Sequence, residues 1–405
     1  IISAFVPQQR AEHSAVLVAK KLYFQGGYDH TYNVYVNSQL FYLDVSNSFN
    51  TTNINLMPWT DLSSTPGLTN KTGATACVDG GAIFYIGGTH SGNLVSKFDT
   101  VLGQWNELNT YGSIPTPGLI ANEEIKFVQC VILGHKIYIY GGYGVYQMNI
   151  LDSLQLYWSR FSSALTYSGT QGYTATMLND SILYMGGGGI NLTYCQANST
   201  NELPVSIFNT SDNSWRMVPT SGQAPLARCD HSSVYISQHN RILLFYGTNN
   251  NISIYALDTL TFTWSIPKIL NSGGSVQILT HHTSTLIGSY ILIAFGLYIN
   301  SGLGSSDVFL LDVSHYDNYK WETTYDPAKL FQPAPTQTIG SSSTLNNQQN
   351  INIVVIIGEV IGGISGLILL STAAIIIIYI VKKKYQINVD TLQDQITNQQ
   401  PVDML

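Results

Sequence analysis

Tyr23-Phe24-Gln25-Gly26-Gly27 is a phrase that the chain writes again and again. An aromatic–aliphatic run meets a glycine pair. It returns as Phe84-Tyr85-Ile86-Gly87-Gly88, Ile139-Tyr140-Gly141-Gly142 and Tyr184-Met185-Gly186-Gly187, and in shortened form as Phe245-Tyr246-Gly247 and Ala294-Phe295-Gly296. Working outward, a short apolar run follows each copy and ends in Asp44, Asp99, Asp152, Asn209, Asp258 or Asp312. A tryptophan comes next: Trp59, Trp105, Trp158, Trp215, Trp264 and Trp321, which are all six in the sequence. Four of the six intervals from Asp or Asn to Trp are six residues long, and the other two carry insertions. A third mark precedes the glycines. Pro7-Gln8-Gln9-Arg10-Ala11-Glu12-His13-Ser14 and Pro225-Leu226-Ala227-Arg228-Cys229-Asp230-His231-Ser232 share one pattern, with His282-Thr283 as a weaker copy.

Each copy holds four short β-prone runs. In the first these are Ser14–Ala19, Lys21–Gln25, Leu40–Val45 and Trp59–Leu62. A lone four-stranded sheet cannot bury both faces, so neighbours must stack, and radial closure leaves only short, protected edges. The glycines end the second strand where φ must be positive or a side chain has no room. Trp brings a large apolar body with one N–H that needs a partner. A repeat of about 50 residues with a diglycine, an acid and a Trp in fixed order resembles the kelch repeat. The resemblance covers residues 7 to about 325. It implies an all-β, six-bladed β-propeller over residues 1–325. Copies two to four lack the Arg and His, and copies five and six keep one glycine.

Composition bounds the function. Charged residues are 10% of the 405, against about 25% in typical soluble proteins, and the net charge is −7. No basic stripe exists to release counterions, so nucleic acid is excluded as a charge-driven partner. Long charged helices and coiled coils are excluded too.

One segment departs from the repeat. Ile353–Val381 carries a single charge, Glu359, and Lys382, Lys383 and Lys384 follow at once. About 20 apolar residues cross a bilayer as a helix, and adjoining lysines favour the cytoplasmic side. The expectation is a single-pass type I membrane protein at the cell surface. Residues 326–352 would form a flexible stalk rich in Pro, Ser, Thr, Asn and Gln, and 382–405 a short cytoplasmic tail. A tail-anchored cytosolic scaffold is the rival topology; Lys329 alone precedes the helix as a nearby cation, which opposes it. Gly358, Gly362 and Gly366 are spaced by four and offer a close-packing face for a homodimer.

Catalysis has weak support. The four-glycine run Gly186–Gly189 lacks the Lys and helix start of a phosphate loop. Galactose oxidase is similar to kelch proteins in its central domain, and its family holds copper through an adjacent Tyr-His pair. No Tyr here is directly followed by His, so an oxidase is the weaker alternative; no enzyme, cofactor or metal is expected. His13, His231 and His282 read as structural residues bonding nearby turns. Cys77 and Cys130 read as small core fillers, while Cys195 and Cys229 fall in loops of one face and are expected to form a disulfide. Seven N-x-[ST] sequons lie at Asn50, Asn70, Asn179, Asn191, Asn198, Asn209 and Asn251; Asn191, Asn198 and Asn251 are the expected glycan acceptors. The loops after the diglycines hold Tyr28, Asp29, His30, Tyr32, Tyr143, Tyr146, Tyr194 and Tyr298. These are the candidate binding residues for a protein or polysaccharide ligand.

Overall fold

The computed structural model describes residues 5–332, apart from 37–38, 91, 116–124, 143–146, 163–170, 189–200 and 250–253. The expected membrane segment, its Gly358, Gly362 and Gly366, and the cytoplasmic tail lie outside the described residues. Among the described residues no helix is long and apolar enough to cross a membrane.

Six antiparallel sheets follow one another along the chain, and each has the four strands of one repeat. In blade one these are Ser14–Val18, Lys21–Gln25, Leu40–Asp44 and Trp59–Asp61. The innermost strands of the next five blades are Thr75–Asp79, Cys130–Leu133, Gln171–Leu178, Ser232–Ile236 and Thr283–Ile287. Each touches the next, and the last touches Ser14–Val18, so the ring closes on six blades.

The repeat's marks have distinct physical tasks. The acid caps the hairpin between the third and fourth strands: Asp99 Oδ1 accepts from the N–H groups of Val101 at 3.0 Å and Leu102 at 2.9 Å, and Asp152 and Asp258 do the same in blades three and five. Trp then pairs across the hairpin with the residue before the acid, as Trp105 with Phe98, Trp158 with Leu151 and Trp264 with Leu257. Its ring fills the space between blades, and in the first three blades the indole N–H finds a local acceptor, Ile54 O at 3.0 Å for Trp59, Glu107 Oε1 at 2.9 Å for Trp105 and Thr110 Oγ1 at 3.0 Å for Trp158.

The two glycines of the pair are not equivalent. A Cβ on the second would meet the backbone of the incoming linker, at 2.7 Å from Ala11 O for Gly27 and 2.7 Å from Cys229 O for Gly247. The first needs a positive φ, which larger residues reach at a cost, and in blades two and four a Cβ there would also meet backbone, Ile125 O for Gly87 and, at 2.7 Å, Arg228 O for Gly186. Tyr246 and Phe295 occupy that position at φ 51 and φ 58. This explains why copies five and six keep one glycine, and why it is the second.

The linkers between blades carry a signal that the repeat pattern hides. Tyr111–Gly112 and Ser221–Gly222 each run parallel to the outer strand of the following blade, beside Tyr157–Trp158 and Thr263–Trp264. They cover edges that would otherwise stay open. Ring closure uses the insertion in blade one. Its Phe49–Asn50 pairs with Thr324–Tyr325 just after blade six, and Phe49 stacks on Tyr325 at 4.9 Å.

Two expectations need correction. Cys77 and Cys130 are not free core fillers but a disulfide joining the innermost strands of blades two and three. Both sit in equivalent places, so their strands lie side by side in the ring and bring the sulfurs together. The stalk does not begin at 326. Lys329 pairs with Asp312, Ser289 Oγ donates to Lys329 O at 2.9 Å, and Gln332 N donates to Ser314 O at 2.7 Å. Phe331 packs on His239 at 5.3 Å. Asp326–Gln332 is therefore a strap fastened to blades five and six.

Candidate binding face

The loops after the second strands and the linkers into the first strands emerge on the same face of the ring. There the chain builds a closed circle of backbone hydrogen bonds around the axis. Gly73 N donates to Glu12 O at 2.7 Å, Phe127 N to Gly73 O at 2.9 Å, and Gly172 N to Phe127 O at 2.6 Å. Asp230 N donates to Gly172 O at 2.8 Å, His281 N to Asp230 O at 3.1 Å, and Glu12 N to His281 O at 3.2 Å. All six residues have positive φ, between 51 and 72. One blade contributes each, and the backbone there is fully paired. The chemistry of the channel mouth is thus left to the four side chains that the six carry.

Among the described residues the two acids of the four face imidazoles and no Lys or Arg. Glu12 Oε1 lies 3.2 Å from His30 Nε2. His281 Nδ1 lies 3.5 Å from Asp230 Oδ1, and Phe127 packs on the His281 ring at 5.0 Å. Among the described residues no hydrogen bond holds the Asp230 carboxylate, whose side chain is 18% exposed. Burial raises its pKa; His281 opposes the rise and Glu12 adds to it.

Below the mouth sits a layer that explains the Arg and His of the repeat. His13 Nε2 meets Thr283 Oγ1 at 2.9 Å, His231 Nε2 meets Thr174 Oγ1 at 3.2 Å, and His282 Nε2 meets Ser232 Oγ at 2.7 Å. Each bond crosses to the preceding blade. The partners are hydroxyls of a neighbouring strand, not the nearby turns that the sequence pointed to. Burial, reinforced by neighbouring positive groups, lowers His231 and His282 to about 3, and His13 well below its usual value. All three are neutral fasteners. Arg10 donates to Gly26 O at 2.9 Å and to Gln8 O at 3.1 Å, and its guanidinium lies 4.6 Å from the Phe41 ring centre. Arg228 repeats this on Tyr246 O at 2.9 Å and Leu226 O at 3.0 Å. Burial brings Arg10 down to about 9, with Asp29 opposing, so it stays charged at neutral pH.

The candidate residues divide sharply. Tyr28 and His30 reach the mouth, their rings 4.8 Å apart in a T shape. Tyr32 stands 74% exposed on the same hairpin, whose far strand adds Tyr35 at 57% and Val34 at 48%. Asp29 is not a surface group: it is buried, and its Oδ1 accepts from Thr31 N at 2.9 Å, Tyr32 N at 3.2 Å and Gln9 Nε2 at 3.1 Å. It holds the turn. Tyr298 is half-buried, with its hydroxyl engaged by Asp307 and Ser305. Tyr143, Tyr146, Tyr194, Cys195, Asn191, Asn198 and Asn251 lie outside the described residues. Cys229 is disulfide-bonded. Among the described residues no group of three or more His, Cys, Asp or Glu is placed to hold a metal ion.

Glu12, Asp230 and His281 escaped the sequence reading, although their signal was present. Both full copies of the Arg-His phrase place an acid directly before the His, as Glu12-His13 and Asp230-His231.

The KLHDC2/KLHL20/DRC7 kelch-repeats domain matches the chain at residues 2–189 and 172–360. Acyl-CoA-binding domain-containing protein 4 of Arabidopsis thaliana is 24% identical over 84% of this chain and 49% of its own length. Human kelch domain-containing protein 3 is 23% identical over 41% of this chain and 47% of its own length. The chain therefore spans about half the length of these relatives. Among solved structures, that titled "Structure of YjhT" aligns with a TM-score of 0.56 over 78% of this chain and 98% of that one, at 13% identity, a likeness of fold alone.

Proposed function

Because the chain belongs to the kelch-repeat family, we propose that its propeller is a binding module that takes a protein ligand on the channel-mouth face. We also read the sequence from Ile353 to Val381 as a single membrane span that tethers the propeller on the exterior side. The fold does not supply a ligand by itself, so the site must. The observation that carries the reading is the convergence, on one face, of an Asp230 carboxylate faced only at 3.5 Å by the His281 imidazole among the described residues and an exposed aromatic hairpin at Tyr32 and Tyr35. Exposed aromatics beside polar groups that the fold has not matched are typical of surfaces that bind.

The exterior placement draws support from the cysteines. Cys77, Cys130 and Cys229 are all disulfide-bonded, and such bonds persist in oxidising compartments. The Lys382–Lys384 cluster favours a cytoplasmic tail. We read the propeller as non-catalytic, since its sequence lacks the Tyr-His pair of the related oxidases.

Photo-cross-linking tests the binding face. A cross-linking residue at Tyr35, in the full chain on cells, should form protein adducts. The same residue at Leu154, in a turn of the opposite face, should not. Adducts at Leu154 alone would overturn the assignment. A mobility shift on glycosidase treatment tests the sidedness; a chain that carries no glycan would argue for the cytosolic topology.

A further inference from the structure

The face described above has a sign. Its cations are consumed by the fold. Arg10 and Arg228 are fully buried and clamp backbone carbonyls, and Lys71 is 1% exposed with Nζ donating to Asn93 O at 2.8 Å. Lys126 beside the mouth is half-buried and engaged with a partner of its own. The anions are not consumed in the same way. Among the described residues the Glu12 carboxylate meets the imidazole of His30, and that of Asp230 the more distant imidazole of His281. Among the described residues neither acid has a Lys or Arg partner, so two carboxylates without a permanent counter-charge stand at the lip of a cavity of about 200 Å³.

The hairpin next to that lip carries aromatic faces. Tyr28 packs edge-on against both His30 at 4.8 Å and Tyr35 at 4.9 Å, which fixes the ring wall, and Tyr32 projects beyond it. The hairpin of blade six locks it from behind, as Gly304 N donates to Thr31 Oγ1 at 3.0 Å. Carboxylates at the base of an aromatic wall suit a cationic side chain: the charge meets the acids, and the alkyl stem or guanidinium plane lies on the rings. Resting on the reading of this face as the binding surface, we propose that its ligand is a basic segment of a protein partner, with one Lys or Arg side chain seated between Glu12 and Asp230 and neighbouring basic residues on Tyr32 and Tyr35. Cation binding there restores the counter-charge that the fold withholds from Asp230.

Fluorescent oligoarginine, oligolysine and oligoglutamate peptides serve as probes against the detergent-solubilised full chain. The two basic peptides should bind, with affinity falling as salt rises, and oligoglutamate should not. The double change Glu12→Gln with Asp230→Asn keeps shape and removes both charges; it should weaken oligoarginine binding by about tenfold or more. Tyr35→Ala, at an exposed position away from the ring of backbone bonds, should weaken it about threefold. Circular dichroism confirms that each variant is folded, and the salt dependence of the unmodified chain reads the same charge without any substitution. Equal binding of oligoglutamate, or full oligoarginine affinity in the double variant, overturns the proposal, as does binding of neutral glycans in preference to both basic peptides. If cross-linking at Tyr35 persists in the double variant, the face still binds protein and only its cationic preference is wrong.

Discussion

Two arcs of one ring are fastened by different chemistry. Blades five, six and one carry the His of the repeat, and three imidazoles stitch the interfaces four–five, five–six and six–one to hydroxyls of the preceding blade. Blades two to four lack that His. Blades two and three are joined covalently through Cys77 and Cys130, while blades three and four use the Tyr173 hydroxyl on Tyr140 O at 2.6 Å and Gln129 Oε1 on Ala175 N at 2.6 Å. The backbone circle above is continuous through both arcs. The geometry of the propeller thus fixes where a fastener must sit, and leaves its chemistry to the local sequence. Where copies three and four lack the repeat's His, a disulfide and side-chain hydrogen bonds hold the corresponding interfaces.

Among these fasteners the Cys77–Cys130 disulfide carries the largest expected effect. The disulfide closes a sequence separation of 53 residues. Replacing Cys77 and Cys130 together by Ser should cost about 4 kcal/mol through the added freedom of the unfolded chain. Urea denaturation of the variant beside the oxidised parent measures it. A loss near zero would mean that packing alone holds this arc.

The Arg clamps come next and sharpen the other arc. Arg10→Met removes donors from Gly26 O and Gln8 O and takes a cation off the Phe41 ring, at a cost of about 3 kcal/mol. Arg228→Met should cost less, about 2 kcal/mol, because one terminal nitrogen of Arg228 has no hydrogen bond to lose. The reverse order in thermal or urea unfolding would contradict the pairing described here. Combined with the Cys substitutions, the Arg10 change should act nearly additively, since the sites share no partners.

Acid separates the arcs directly. His231 and His282 are lowered from 6.5 to about 3, and His13 falls in the same direction. A lowered His stays neutral in the fold while the unfolded chain takes up a proton. Its contribution is complete above pH 6.5 and is lost progressively as pH falls towards 3. Hydrogen exchange should therefore show Ser14–Val18, Ser232–Ile236 and Thr283–Ile287 losing protection on acidification before Thr75–Asp79 and Cys130–Leu133. His282→Gln, which keeps a donor for Ser232, should flatten the response without removing it.

Sequence and structure agree wherever a repeated residue has one local task. Six Trp mark six hairpins, with five Asp and one Asn, because each Asp or Asn caps its own turn and each Trp pairs across it. Strand limits in blade one agree within one residue for the same reason. Features that depend on contact between blades were not legible. Cys77 and Cys130 look like small apolar fillers until their strands are set side by side. Asp29 reads as a loop acid in a binding hairpin, yet its oxygen is taken by the turn's own N–H groups. Glu12, Asp230 and His281 have no common letter; their equivalence is a shared φ and a place in the circle.

Asp230 gives the smallest effect and the most informative sign. Its carboxyl is raised by burial, so the folded protein binds that proton more tightly than the unfolded chain does. Ionisation therefore costs stability as pH rises through its folded value, and the cost is absent in acid, where the group is protonated in both states. Asp230→Asn should raise the melting temperature slightly at neutral pH, and the gain should shrink as pH falls through the carboxylate range. Asn keeps the positive φ of 54 at that position at little expense. Glu322→Gln, far from the channel, should show no such pH-dependent gain. A charge that the fold carries at a cost, at the mouth of its channel and beside exposed aromatics, is one whose return lies in what it binds. If Asp230→Asn destabilises the chain at neutral pH instead, the carboxylate is serving the ring, and the contrast between fastened layer and open mouth fails at that residue.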